Sequence, residues 1–199
     1  MCFPSFLSIL NELSRKKCIC EKFLIATQTD NNSLFGRCVV LITKHSKTNG
    51  AEGYIINKPL VSMSPAEVFK DRPFQFLGED FHIYSGGPVD LDHGAVLHST
   101  DYHALDTHQV LPDLALTETQ QILDDISTQQ SGPKHFIVMV GKSAWAPNQL
   151  EDEIMGNIWI PAPFSFDLMF HTPDNKKWQE ALATLKIDAN LLAQNAGKA

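Results

Sequence analysis

The run KHFIVMVG, Lys134–Gly141, is nearly continuous in apolar residues, has the length of a strand, and follows the Ser131-Gly132-Pro133 break. A short apolar run bounded by such punctuation reads as a strand buried on both faces, which places it at the centre of a sheet. The chain continues as GKSAWAPNQLEDEIMGNIW, Gly141–Trp159, where Pro147 is expected at the first position of a short helix with Trp145 just before it. Gln149, Glu153 and Gly156 then fall at three- and four-residue steps. Two indoles, an amide and several carboxylates around one helix either hold a polar ligand or brace a neighbouring strand through buried hydrogen bonds.

Upstream, KFLIAT, RCVVLITKH and GYIINKPL read as strands, with Asn49-Gly50 turning the last two into a hairpin. Ser64–Glu67, SPAE, reads as a capping box opening a short helix, and Phe81 to Tyr84 as a further strand. SGGPVD is a tight loop and GAVLHS a strand. TETQ, Thr117–Gln120, is expected to cap a helix running to about Gln129. Asn157 to Pro161 re-extends the chain, Thr172 and Pro173 open a terminal helix, and a short turn covers Asp188 to Asn195. Strands concentrated early and helices scattered among later strands predict an α+β fold, not repeating βαβ units. Residues 1–21 read as an amphipathic N-terminal extension, and 22–199 as one domain.

A formal charge of -7 and only three arginines, Arg15, Arg37 and Arg72, oppose duplex DNA binding. Cys2, Cys18, Cys20 and Cys38 lack the paired spacing of structural zinc and are expected as reduced thiols in the cytoplasm, with Cys38 facing a core. The basic run Arg15-Lys16-Lys17 follows the apolar Phe3–Leu10 stretch, the reverse of a secretory signal, and no stretch approaches the ~20 apolar residues of a membrane span.

Candidate chemistry is dispersed. Gly86 and Gly87 offer backbone amides to an anion or simply form a turn. Lys58, at the end of a strand beside Asn57, presents an ammonium at the sheet rim. His93, His98, His103 and His108 alternate with Asp90, Asp92, Asp101 and Asp106, but in no metal-ligand spacing, so no metal or cofactor is expected. Ser85, Ser99 and Cys38 lie in no nucleophile motif. His98 with Glu151 or Glu153 is a candidate acid–base set, and Arg37 with Glu153 a candidate ion pair.

Taken in order, FLIAT, the F-x-R-x-VVLI-x-x-H run from Phe35 to His45, GAEGYIINKPL, YSGGPV, GAVLHS, W-x-x-x-QLE-x-EI-x-x-N-x-W and the final GKA resemble the YqgE/AlgH family from about Lys22 to Ala199. The resemblance implies a single-domain α+β fold on a bulged, barrel-like sheet with flanking helices. It brings no established reaction, only a label of transcriptional regulation that rests on a genetic association with alginate production. Lys142-Ser143-Ala144 stand where the family usually has tyrosine, alanine and glycine, Asn148 where it has glycine, and Lys58 where it has arginine. The expectation is a non-catalytic regulatory or adaptor protein. Its partner is a protein or a small acidic ligand, bound at a cleft of Asn57, Lys58, Gly86, Gly87, His98, Trp145, Gln149 and Glu153. The alternative is a hydrolase or transferase for an acidic small molecule, with His98 as acid or base.

Overall fold

The computed structural model describes residues 19, 22–30, 32–60, 81–128, 131–190 and 192. Within them the chain forms β1 (Lys22–Ala26), β2 (Val39–Ser46), β3 (Gly50–Ile55), β4 (Ile83–Ser85), β5 (Val89–Ser99), β6 (His108–Leu111) and β7 (Leu114–Thr117). These are followed by α1 (Gln120–Thr128), β8 (Phe136–Trp145), α2 (Gln149–Met155), β9 (Trp159–Pro163), α3 (Phe166–Phe170) and α4 (Asp174–Thr184). The strands make one curled, half-barrel sheet in the order β6-β7-β5-β8-β3-β2-β1-β9, with β4 added to β8 in parallel and every other pairing antiparallel. This is an α+β fold.

The apolar run does become the centre of the sheet. Ile137 and Met139 enter the core beneath α3 and α4, while Val138 points to the opposite core under α1. At Gly141, φ is 70°, and β8 changes partner around it: residues 136–140 and then Lys142 pair with β5, whereas Ser143 to Trp145 pair with β3. Four residues of β5, Asp90 to His93, bulge out opposite Gly141. A Cβ on Gly141 would sit 2.5 Å from the Gly87 carbonyl oxygen, so the bend needs the absence of a side chain as well as the left-handed backbone.

Several boundaries differ from expectation. Thr117 ends β7 with its hydroxyl buried, so it caps nothing, and α1 starts at Gln120. Pro147 precedes α2, whose N-cap is Asn148, and Trp145 belongs to β8. Pro173 is the N-cap of α4 and not its first helical residue; the Thr172 hydroxyl donates instead to the Asp167 carbonyl. β4 begins two residues later than expected. The β6–β7 hairpin and α3 were not anticipated. The expected helices at the N-terminus and at Ser64, and the final GKA, lie outside the described residues.

Candidate functional site

Helix α2 turns Gln149 and Glu153, four residues apart, toward the end of β8 and the start of β9. Trp145 and Trp159 meet edge to face there, with ring centroids 5.9 Å apart. Both indole N–H groups donate to the same Glu153 oxygen, Oε2, at 2.8 and 2.7 Å. The Gln149 amide donates to the other oxygen at 2.8 Å, and its own Oε1 accepts from the Ala146 N–H at 2.9 Å. Phe35 packs edge-on against Trp159 at 5.6 Å. Beside this knot runs a groove of about 260 Å³, lined by Gln28, Phe35, Pro88, Ala144 and Ile158 together with the two tryptophans. Leu34 and Ile158, 41% and 50% exposed, add unburied apolar surface next to it in the chain.

Asn57 and Lys58 lie elsewhere, at the end of β3. Asn57 accepts from the Val39 N–H at 2.8 Å and donates to the Arg37 carbonyl at 2.9 Å, which fixes the loop that carries Arg37. A cavity of about 210 Å³ opens there among Arg37, Asn57, Lys58, Asp174, Trp178 and Gln179. Arg37 does not pair with Glu153. Its guanidinium lies over the Trp178 ring at 5.6 Å, while Glu153 is taken up by the indoles.

Gly86 and Gly87 serve packing. The Gly86 amide donates to the Val140 carbonyl at 2.9 Å, and its carbonyl accepts from the Ile55 N–H and the Ser143 hydroxyl. A Cβ on Gly87, where φ is 149°, would come within 2.3 Å of the Lys142 carbonyl carbon. His98 is fully buried in β5. Its ring nitrogens bond the Ser99 carbonyl and the Thr117 hydroxyl, both at 2.9 Å, and the Thr117 hydroxyl bonds that of Thr107. Burial, outweighing the Ser99 carbonyl and the Asp101 charge, holds the imidazole below its ordinary pKa. Glu151 pairs with His45, not His98. Cys38 is buried, and desolvation pushes its thiol up to about 12, away from nucleophilic use.

The eight candidate residues therefore fall into separate places. Trp145, Gln149 and Glu153 share one site, and Asn57 and Lys58 a second; Gly86 and Gly87 underlie the bend of β8, and His98 is in the core. Lys58, His98 and the acidic helix do not converge on a common pocket. Arg37 and Trp178 were missed as neighbours of Lys58 around this cavity. The only signal for them was Arg37 in the Phe35–His45 run, since no local pattern tells that α4 packs its indole under that loop. Lys142, at a position where the family pattern differs, bridges Glu52 and Asp90 at 3.1 and 3.0 Å.

Comparison with known proteins agrees with this architecture. A family model described as DUF179, AlgH-like, matches residues 23–190. A UPF0301 protein of Erwinia tasmaniensis is 32% identical over 183 residues, covering 89% of this chain and 97% of its own. One of Agrobacterium fabrum is 35% identical over 192 residues, covering 90% and 92%. The solution structure of the AlgH protein from Pseudomonas aeruginosa superposes with a TM-score of 0.74 at 29% identity, covering 89% of this chain and 94% of that one. The crystal structure of DIP2367 from Corynebacterium diphtheriae, at 18% identity and a TM-score of 0.68, shares the fold over 92% of this chain and 95% of its own. With the sheet, the bend at Gly141 and the Glu153 knot in place, the chain belongs to the AlgH-like, UPF0301 family.

Proposed function

We propose that this protein is a non-catalytic regulatory or adaptor protein that recognises a protein partner through the aromatic groove beside α2. The observation that supports this reading is the Glu153 knot. Its amide, indole and carboxylate groups are spent on one another, so they stiffen the groove wall and offer no group to a reaction. The groove next to them keeps Phe35, Pro88 and Ile158 accessible, the aromatic and aliphatic character of an interface anchor site. His98 and Cys38, the groups best suited by type to acid–base or nucleophilic work, are buried and bonded or held protonated.

The test compares the wild-type chain with Ala144→Arg, which fills the groove from an exposed position and leaves every side chain of the knot unsubstituted. Affinity capture from native lysate should retain a discrete protein with the wild type and lose it with the variant. Equal retention by both chains, or turnover of a small acidic ester or phosphoester by the purified protein, would overturn the reading.

A further inference from the structure

The second cavity carries charge in a way that the rest of this acidic chain does not. Arg37 and Lys58 line it, against one lining carboxylate, Asp174, which the buried Lys177 holds from behind. That carboxylate is already committed: one oxygen accepts from Lys177 at 2.8 Å and the other from the Tyr84 hydroxyl at 3.0 Å. Lys177 also donates to the Ile56 carbonyl at 3.1 Å, so this ammonium and carboxylate satisfy each other inside the wall. Arg37 and Lys58 are left as two cations with no carboxylate partner among the described residues, in a protein whose formal net charge is -7.

Arg37 is also held in place at some cost. Its backbone is left-handed, φ 51°, in a residue that gains nothing locally from that conformation. Its N–H donates to the Gln28 carbonyl at 2.8 Å, its carbonyl accepts from Asn57, and its guanidinium is stacked on Trp178. That indole is anchored in turn, through Nε1, to the Ala26 carbonyl at 2.8 Å. The arginine Nε is buried and has no acceptor. A buried donor without a partner is rare, and a guanidinium laid on an indole from a backbone fixed on both sides is preorganised for a carboxylate or phosphate. The cavity, about 210 Å³, has room for about seven water volumes and falls below the range of drug-sized or nucleotide sites.

We propose that the Arg37–Lys58 cavity is a binding site for a small dianionic oxyanion, a phosphate monoester or a short dicarboxylate. Arg37 supplies the fixed, planar donor face and Lys58 the mobile point charge at the rim. Asn57, Asn175 and Gln179 bring neutral amides to the same walls. The site stands apart from the groove beside α2 and does not depend on the reading given for it.

Inorganic phosphate and succinate, titrated separately at constant ionic strength into uniformly ¹⁵N-labelled protein, test the assignment. Saturable shifts centred on the side-chain amides of Asn57, Asn175 and Gln179 are expected, and the tighter of the two probes identifies which oxyanion the site prefers. Arg37→Gln and Lys58→Gln should each weaken binding about tenfold or more, and Lys58→Arg should retain it. Should Arg37→Gln fail to fold, the pair Lys58→Gln and Lys58→Arg, at a half-buried rim position, decides the matter alone. Shifts reproduced by chloride, no saturable shift with either probe, or unchanged affinity in Lys58→Gln would overturn the proposal. Ala144→Arg should bind both probes as the wild type does, so failure here and failure of the groove reading are separable.

Discussion

One oxygen of Glu153 accepts from two indoles that belong to different strands, so a single carboxylate ties the end of β8 to the start of β9. Removing it strands two indole donors in a half-buried place. Glu153→Ala should cost about 3 kcal/mol and Glu153→Gln less, since the amide oxygen still accepts while the charge assistance is lost. Urea unfolding followed by tryptophan fluorescence checks this, and equal midpoints for wild type and Glu153→Ala would show the knot to be decorative. The pairing of Gln149 with Glu153 was legible, because four residues apart on a helix is a face. Arg37 was not legible in the same way. Its left-handed backbone is imposed by Gln28 and Asn57, and its stacking by an indole about 140 residues further on, relations that no local pattern encodes.

Among the elements, the entrance to α2 shows what a departure from the family pattern does. Asn148 occupies the N-cap with φ 64° and makes no side-chain capping bond, so its side chain returns nothing for the left-handed backbone. Glycine, usual at this position in the family pattern, has no such penalty. Asn148→Gly should therefore raise stability by about 0.5–1 kcal/mol, and Asn148→Val should lower it by about 1–2 kcal/mol. Thermal or urea melts of the two variants, moving in opposite directions, check the argument; a loss in both would mean that the asparagine side chain serves the cap. At this scale β8 was legible from its unbroken apolar run, because burial on both faces leaves no room for alternation. The β6–β7 hairpin was hidden among alternating histidines and aspartates that read as loop. Its register irregularity between Gln109 and Leu111 spoils the two-residue period on which strand reading depends. Helix α3 escaped because FDLMF is too short for a period to show. Its Ser165 cap, which accepts from the Leu168 N–H, is recognisable only once the helix is known.

For the molecule as a whole, the α+β class followed from element order, while the curl of the sheet did not, since it turns on which part of β8 pairs with which neighbour around Gly141. That curl brings together groups far apart in the chain, and their titration makes a test of the assembled fold. Burial alone would raise the Glu52 carboxyl, but hydrogen bonds from Lys44 and Lys142 outweigh it and hold the group below its ordinary 4.5. Asp101 behaves alike: burial raises it, and the Ser99 hydroxyl and Lys134 N–H bring it below 3.8. His98 lies below 6.5 because of burial. For all three the unfolded chain takes up protons at a higher pH than the folded one, so stability is full above the unfolded value and falls with pH toward the folded one. The urea midpoint should be level from neutrality up to the 9.0 at which the Cys38 thiol of the unfolded chain ionises, decline as pH passes below 6.5 through His98, and decline again below 4.5 through Glu52 and Asp101. His98→Gln should flatten the first decline while lowering the plateau, because the buried bonds to Ser99 and Thr117 are no longer both made. Glu52→Gln should soften only the second. A first decline that survives His98→Gln unchanged would assign it to other histidines and remove His98 from the account of acid sensitivity.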